Sequence, residues 1–259
     1  MKRFSTLKYE IEDGIAKITF NREKDTNPFS RNMTLELTKI CQSIQGDGKL
    51  VQPTIRAVIL TGGTGRSFSV GGDFNDVSAL ETEVEITVYL NEIIDLYISL
   101  LQVEVPIVAA IDNFAIGQGL QVALMSDWRF GTDRCQLQMP ELKNGTACPL
   151  GSAILESLLG RALMMELILD CSFISATSAR AMRLLNQLVS VDALQNEAMT
   201  FAKRLADFPR IPYTTTKRIQ NQRLVAIFEN GRQGAIDAHV ATIRAKAGHT
   251  HYNKILGRI

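Results

Sequence analysis

The sequence predicts an α/β fold with a mostly parallel sheet. Two short, almost wholly apolar runs, IRAVILTG and PIVAAIDN, are typical of strands that are covered on both faces. The segment between them, EITVYLNEIIDLYISLLQ, has the apolar spacing of a long helix. Strand, helix and strand in this order predict a parallel pair joined by a right-handed crossover.

The flanking segments add further elements in chain order. At the N-terminus, YEIEDGIAKITF alternates in polarity around an Asp-Gly pair, which predicts a β-hairpin. Ser30 is expected to cap a helix through MTLELTKICQSIQ, whose apolar residues are spaced by three and four. From residue 150 onward the patterns are helical: SAILESLLGRALMMELILD, SATSARAMRLL, DALQNEAMTFAKRLADF and RLVAIFENGRQGAIDAHVATIRAK.

The composition argues against several kinds of partner. The chain has 259 residues, of which 46% are hydrophobic and 21% charged, and its formal net charge is +1. This balance gives no electrostatic reason to expect nucleic acid or an anionic membrane as a partner. No stretch approaches the roughly 20 apolar residues of a membrane span, and the N-terminus lacks the apolar core of a signal peptide. We therefore expect a cytoplasmic protein.

The positions of cysteine and histidine argue against a metal centre. The four cysteines form no CxxC pair, and the three histidines all lie within the last 21 residues. We expect free thiols that mostly fill the core. Cys148, in GTACPLG, has no histidine near it in the sequence, so we expect it to line a pocket and not to act as a nucleophile.

A glycine-bearing loop follows each of the two apolar strands: TGGTGRSFSVGGDF and FAIGQGLQ. In a parallel sheet both loops emerge at the carboxyl ends of their strands, where α/β proteins bind ligands. Glycines there leave backbone amides free to hold an oxygen that gains negative charge. Either loop taken singly is equally well a tight turn. The second loop lacks the third glycine of the dinucleotide fingerprint, and no Walker lysine follows either loop, so a nucleotide-phosphate site is not expected.

Three motifs in order resemble those of the crotonase superfamily, also called the enoyl-CoA hydratase/isomerase superfamily: SFSVGGDFNDV, IDNFAIGQGLQVALMSDWRF and LQMPELKNGTACPLGSAILESLLGR. The likeness runs over nearly the whole chain, and NPFSR and MPELKNG make it greatest for the carboxymethylproline synthases. It implies a crotonase-like spiral of ββα units at residues 1–195 and a helical C-terminal trimerisation region at residues 196–259. It also implies a homotrimer or dimer of trimers that takes a coenzyme A thioester as substrate and holds no tightly bound cofactor.

The resemblance gives both glycine loops a role. It implies that the backbone amides of Gly72 and Gln118 donate to the thioester oxygen, a role that does not depend on the side chain at either position. The backbone around Ser67, Phe68 and Val70 would lie along the adenine and pantetheine of coenzyme A.

Two further positions decide the acid/base chemistry. Enoyl-CoA hydratases use two glutamates, and the matching positions here are Gln121 and Glu141. An amide can bind water or a substrate group but does not transfer a proton at neutral pH. Gln121 is therefore expected to position a group, and Glu141 to be the single acid/base residue, with a pKa raised by its apolar neighbours. Without the other motifs, Glu141 would be interpreted as a helix cap or a partner of Lys143.

The remaining candidates have mixed roles. Asp73 is expected to cap the helix after the first loop, and Asp127 and Trp128 are expected to start a strand. His239 would either help to hold a substrate carboxylate or lie on a solvated or interface face of its helix. The cationic candidates for the phosphates of coenzyme A in the C-terminal helices are Lys217, Arg218 and Lys254.

The reaction implied first is decarboxylation of malonyl-CoA, or a methyl homologue, to an enolate, because this step needs no base. The enolate would attack an imine such as pyrroline-5-carboxylate, and Glu141 would activate the water that hydrolyses the thioester. The alternatives are an enoyl-CoA isomerase, in which one carboxylate shuttles a proton, and a hydratase, which Gln121 disfavours. A non-catalytic scaffold of the same fold is the alternative from a different class.

Overall fold

The computed structural model describes residues 4–22, 26–45 and 55–258, which form two sheets covered by helices. The strands are β1 (Leu7–Glu12), β2 (Ile15–Phe20), β3 (Ala57–Thr61), β4 (Ile107–Ile111), β5 (Phe114–Ile116), β6 (Trp128–Thr132), β7 (Gln136–Gln138), β8 (Ile174–Ser175) and β9 (Gln187–Val189). The helices are α1 (Arg31–Gln45), α2 (Phe74–Ser78), α3 (Glu83–Gln102), α4 (Gln118–Leu124), α5 (Pro149–Leu159), α6 (Arg161–Asp170), α7 (Ala176–Ala181), α8 (Leu194–Ala206), α9 (Arg210–Arg244) and α10 (His249–Ile255).

The larger sheet is mostly parallel, as predicted. Its strand order is β1-β2-β3-β4-β6-β9, and every neighbouring pair is parallel except the hairpin β1-β2. The hairpin turn lies at Asp13 and Gly14, which both have positive φ, as a tight two-residue turn requires. The predicted cap of α1 is also confirmed, because the Met33 amide donates to Ser30 Oγ at 3.3 Å.

Strand β3 explains why the central strands are apolar throughout. Val58 and Leu60 belong to the core cluster that includes residues of α1 and α3, whereas Ala57 and Ile59 belong to the cluster formed with α8. Because successive side chains of a strand point to opposite faces, helices cover both faces of this sheet.

The structure corrects the expected origin of the second glycine loop. The sequence predicts that this loop directly follows the strand PIVAAIDN, but β4 ends at Ile111 and a turn at Asn113 (φ 55°) redirects the chain into β5. Strand β5 pairs with β7, and β7 with β8, in a separate three-stranded sheet. An isolated bridge between Ser69 and Ala115 joins this sheet to the first glycine loop.

The C-terminal part is helical, with two boundaries that differ from the prediction. SAILESLLGRALMMELILD forms two helices, because Gly160 (φ 78°) lies between α5 and α6. The last long helix begins at Arg210 and not near Arg223, so that Pro212 lies in its first turn, where a missing amide is tolerated. None of the described helices, including the 35-residue α9, is both long and apolar enough to cross a membrane.

Helix α8 spans the predicted boundary between core and oligomerisation region. Its Leu194, Ala198 and Ala202 are buried against the larger sheet. The division into residues 1–195 and 196–259 stays a prediction.

Candidate active site

A cavity of about 720 Å³ lies where the two glycine loops meet. Its wall takes residues from both loops, from α3 and α4, from the segment 138–151, and from α9 and α10. The volume is in the range of roughly 300–1,000 Å³ that is usual for small-molecule sites. Both loops therefore border a single candidate site.

The two loops contact each other through their main chains. The amide of Ser69 donates to the carbonyl of Phe114, and the amide of Ile116 donates to the carbonyl of Ser69, each at 3.0 Å. At Gly71, where φ is 93°, a Cβ atom would lie 2.8 Å from the carbonyl oxygen of Ile116. Any side chain there would push the loops apart, so this glycine is needed for its backbone conformation and for the close approach.

The backbone amides of Gly72 and Gln118 lie at this junction. A Cβ atom on Gly71 would be 3.5 Å from Gln118 N. The amide of Gln118 therefore lies close to Gly71, the residue before Gly72. Within the described part of the chain, neither amide donates a hydrogen bond to the protein. Gln118 N is the first amide of α4 and has no acceptor within the helix. Two such free donors can hold an oxygen that gains negative charge.

The two glycines of GQG, Gly117 and Gly119, are required for different structural reasons. Gly117 precedes α4 with φ 51° and ψ −124°, a conformation that strains any residue with a Cβ atom. A Cβ atom there would also lie 3.3 Å from Glu141 Oε1. At Gly119 a Cβ atom would lie 2.7 Å from the carbonyl oxygen of Ser69, so α4 packs directly on the first loop. The first glycine sets the direction in which α4 begins, and the second allows the loops to meet.

Glu141 ends a hydrogen-bond chain that starts on α3. Tyr97 Oη donates to Gln121 Oε1 at 2.6 Å, and Gln121 Nε2 donates to Glu141 Oε1 at 2.7 Å. The chain runs in one direction, because an amide oxygen only accepts and an amide nitrogen only donates. Tyr97 thereby fixes which end of the Gln121 amide faces the carboxyl group.

The environment of Glu141 favours its neutral form. Burial raises the pKa of Glu141 from 4.5 to about 7, although hydrogen bonds from its own backbone amide and from Gln121 favour the charged form. Its Oε2 is buried and has no hydrogen-bond partner among the described residues. The carboxyl group can therefore take up or release a proton near neutral pH, as the sequence led us to expect of an acid/base residue.

The three expected structural residues are confirmed. Asp73 caps α2, since its Oδ1 accepts from the amide of Asn75 at 2.9 Å. Asp127 Oδ2 accepts from the amide of Ile107 at 2.7 Å, and Trp128 is the first residue of β6.

The backbone expected along coenzyme A is only partly at the cavity. Val70 lines the cavity wall. The ring of Phe68 packs in the core, and its amide donates to the carbonyl of Asp112 at 3.0 Å. The carbonyl of Ser67 accepts from Asn27 Nδ2 at 2.8 Å. The assignment of this segment to coenzyme A stays a prediction.

His239 and Cys148 both line the cavity. His239 Nδ1 lies 2.7 Å from the carbonyl oxygen of Ala235, and burial lowers the pKa of the imidazole. In the neutral ring Nδ1 donates and Nε2 accepts, so binding a carboxylate would require the protonated ring. Burial, and then the charge of Glu141, raise the pKa of the Cys148 thiol, which suits pocket lining better than nucleophilic attack.

Two of the cationic candidates lie at the wrong edge of the sheet. Lys217 is buried, and its Nζ donates to Asp127 Oδ2 at 2.7 Å. Arg218 lies 4.0 Å from Glu104. These acidic partners precede β6 and β4, at the amino ends of the parallel strands, whereas the glycine loops lie at the opposite, carboxyl ends. Lys254 lies on α10, which borders the cavity, and its role stays a prediction.

Sequence reasoning missed two features of the cavity. Tyr97 lies in an apolar run of α3, where the available signal is that a buried tyrosine needs a hydrogen-bond partner. The C-terminal helix α10 also covers part of the cavity: Tyr252 stacks on Phe74 with 4.6 Å between ring centroids, and its hydroxyl lies 2.6 Å from Thr146 Oγ1. These contacts join residues far apart in the chain, so no local pattern predicts them.

The cysteines are core residues. All four are free and buried, as expected. In the part of the chain that the structure describes, no group of three or more histidine, cysteine or acidic residues is arranged to hold a metal ion.

The chain is similar to known proteins in family, sequence and fold. The model of the enoyl-CoA hydratase/isomerase family matches residues 10–254. Carboxymethylproline synthase from Pectobacterium carotovorum subsp. carotovorum is 35% identical over 249 residues, which are 96% of this chain and 98% of that protein. (E)-benzylidenesuccinyl-CoA hydratase from Thauera aromatica is 29% identical over 210 residues, which are 81% of this chain and 79% of that protein.

Solved structures of similar proteins share the fold of this chain. ThnE from S. clavuligerus has a TM-score of 0.75 at 32% identity and covers 88% of this chain and 97% of its own. An enoyl-CoA hydratase/isomerase from Mycobacterium paratuberculosis has a TM-score of 0.86 at 24% identity and covers 96% of this chain and 98% of its own. The resemblance and the crotonase-like α/β fold expected from the sequence are therefore confirmed.

Proposed function

The chain belongs to the enoyl-CoA hydratase/isomerase family and processes an acyl-CoA thioester, and from that premise we propose that it decarboxylates malonyl-CoA and uses the enolate to form a carbon–carbon bond. The 35% identical relative is named carboxymethylproline synthase. That name describes a proline that carries a carboxymethyl group, and we extend this type of product to the present chain.

The observation that carries the proposal is the single available carboxyl group in the cavity. Among the described residues that line it, the acidic ones are Asp73 and Glu141. Asp73 is paired with Arg22 at 2.7 Å and caps α2, so it is already engaged. Gln121, an amide, occupies the place beside Glu141 where a hydratase has a second carboxylate. Loss of carbon dioxide needs no base, so it suits this site better than hydration does.

The first step uses the two free amides. The thioester oxygen accepts from the amides of Gly72 and Gln118 while the bond to the carboxylate carbon breaks. The electron pair of that bond becomes the enolate, and carbon dioxide leaves without transfer of a proton. Removing one donor from such a pair typically costs about 2.7–4 kcal/mol of barrier.

The later steps use Glu141. The enolate carbon attacks the imine carbon of a cyclic imine such as pyrroline-5-carboxylate, bound in its protonated iminium form. The electron pair of the carbon–nitrogen double bond moves to the ring nitrogen, which becomes a neutral amine without a further proton. The Glu141 carboxylate then accepts a proton from water as the oxygen attacks the thioester carbonyl. Coenzyme A leaves as the thiol, which recovers that proton. A pKa of about 7 suits Glu141 to both proton transfers.

The test is turnover of malonyl-CoA with and without pyrroline-5-carboxylate, followed by carbon dioxide release and by free thiol. We expect carbon dioxide in both cases, and thiol with the carboxymethyl product when the imine is present. Glu141→Gln should keep carbon dioxide release and lose thiol release. Loss of carbon dioxide release in that variant would contradict a decarboxylation that needs no base.

The alternatives give different outcomes in the same assay. Because one carboxyl group can shuttle a proton between two carbons, an enoyl-CoA isomerase is the second candidate, and it would convert a 3-enoyl-CoA while leaving malonyl-CoA intact. Rapid hydration of crotonyl-CoA would instead indicate a hydratase. Consumption of none of these thioesters would indicate a non-catalytic scaffold.

We further propose that the chain assembles as a homotrimer or a dimer of trimers. The predicted oligomerisation region exposes five large apolar side chains, which supports a contact with other copies: Phe208, Ile211, Ile219, Ile227 and Ile255. Light scattering after size-exclusion chromatography should give three or six times the chain mass. A monomer would contradict this proposal.

A further inference from the structure

Two buried polar side chains of the cavity wall have no role in the chemistry above. They are Tyr89 on α3 and the side chain of Gln118 at the start of α4, each only 7% exposed. A Cβ atom on Gly72 would lie 3.8 Å from Tyr89 Oη and 3.5 Å from Gln118 Oε1. The hydroxyl and the carboxamide oxygen therefore both border the space that the missing side chain of Gly72 leaves open.

Neither group is well paired within the protein. Tyr89 Oη has no hydrogen-bond partner in the described part of the chain, and Gln118 Oε1 accepts no hydrogen bond there. Gln118 Nε2 has a long contact of 3.5 Å with Thr34 Oγ1. Both atoms are open to the cavity, since neither is among the fully buried side-chain atoms without a partner. Both groups line the cavity, so a ligand in the cavity can supply the missing partners.

The chemistry of the two side chains indicates the kind of ligand. Burial, followed by the charge of Asp76, raises the pKa of Tyr89, so its hydroxyl stays protonated and donates. The Gln118 amide can turn its nitrogen toward a ligand and donate as well. Two neutral donors suit a carboxylate, which accepts through both oxygens. The apolar residues Leu90 and Ile93 line the same cavity.

We propose that the Tyr89 hydroxyl and the Gln118 carboxamide form a subsite beside Gly72 for the free carboxylate of a short dicarboxylic acyl-CoA thioester. The proposal rests on the proposed function and names the group that selects its substrate. In a malonyl thioester one carbon separates the two carbonyl carbons. A thioester oxygen on the amides of residues 72 and 118 therefore brings the carboxylate next to the side chains of this subsite.

Uncharged donors also suit the loss of carbon dioxide. A cation would form a strong ion pair with the carboxylate, and this stabilisation would be lost as neutral carbon dioxide forms. Neutral hydrogen bonds hold the group in place but stabilise the ground state less, so less is lost in the transition state.

The experiment compares two thioesters that do not turn over. Sulfoacetyl-CoA carries a sulfonate in place of the carboxylate and cannot release carbon dioxide, and acetyl-CoA lacks the anionic group. Dissociation constants are measured by calorimetry for the full-length wild type, Tyr89→Phe and Gln118→Leu. Each substitution should weaken sulfoacetyl-CoA binding about tenfold or more, as loss of a hydrogen bond to a charged group does, and leave acetyl-CoA binding within about twofold.

Tyr252→Phe is the matched control. It removes a hydroxyl from another cavity tyrosine, whose oxygen already has Thr146 as partner, so the ratio of the two constants should not change. If the ratio is unchanged in both Tyr89→Phe and Gln118→Leu, or if both ligands weaken equally, the subsite is overturned. Turnover of malonyl-CoA by the wild type tests the proposed function separately, so failure of one proposal is distinguishable from failure of the other.

Discussion

Replacing Tyr97 by phenylalanine tests whether the hydrogen-bond chain controls Glu141. The variant removes one oxygen atom and keeps the ring, whose centroid lies 5.8 Å from that of Phe228. Gln121 Oε1 then loses its donor at 2.6 Å, and the amide is no longer held with its nitrogen toward Glu141. An unpaired buried acceptor costs about 1–3 kcal/mol, so the variant should also be less stable by about that amount.

The expected change in pKa follows from the second bond of the chain. The bond from Gln121 Nε2 to the Glu141 carboxylate, 2.7 Å long, is of the charge-assisted kind that contributes about 1.5–3 kcal/mol. One pKa unit corresponds to about 1.4 kcal/mol, so loss of this bond should raise the pKa of Glu141 by about one to two units. At pH 7 the ionised fraction would fall from about half to about a tenth or less.

The assay measures thiol and carbon dioxide release from malonyl-CoA and the imine, from about pH 5 to about pH 9. In Tyr97→Phe the midpoint for thiol release should move to higher pH, with a rate at pH 7 lower by about five- to fiftyfold. Carbon dioxide release, which needs no base, should keep its profile. Tyr9→Phe loses the same atom from β1, away from the cavity, and should behave as the wild type.

Equal midpoints for thiol release in Tyr97→Phe and the wild type would refute the reasoning. Tyr97 would then be a packing residue, and the orientation of the Gln121 amide would have another cause. A drop in both rates with no change of midpoint would lead to the same conclusion.

Two other predictions follow from the glycine turn and from the buried carboxyl group. Gly117→Ala should lower the rates of thiol and carbon dioxide release about a hundredfold, because alanine at φ 51° is strained and its Cβ would lie 3.3 Å from Glu141 Oε1. The control is Gly160→Ala, which has φ 78° and no atom within 4 Å of the added Cβ, and which should lose stability but not activity. Equal losses of activity in the two variants would contradict this account. The unfolded chain releases the Glu141 proton above about pH 4.5, whereas the folded chain keeps it until about pH 7, so the free energy of unfolding should fall by up to about 3 kcal/mol as the pH rises through that window. Glu141→Gln should remove this slope in denaturant titrations, and a slope that persists would show that another group causes it.

The sequence by itself determined the elements whose signal is local. The apolar runs of β3 and β4, the Asp-Gly hairpin and the spacing of α3 each reflect a period that neighbouring residues impose. The order of the glycine motifs and the pair Gln121 and Glu141 were also visible, because motif positions are read along the chain. These features were enough to predict the fold class and to name Gln121 and Glu141 as candidates for the site.

The tertiary structure decided what depends on contacts between distant segments. Tyr97 meets Gln121 and Tyr89 meets Gly72 only because α3 packs across the ends of both loops. Lys217 was a candidate for coenzyme A phosphates until the structure placed it with Asp127 at the opposite edge of the sheet. Hydrophobic periodicity tells which face of a helix is buried, but the partner of a buried polar group is set by the segment packed against it, and that choice is made only when the chain folds.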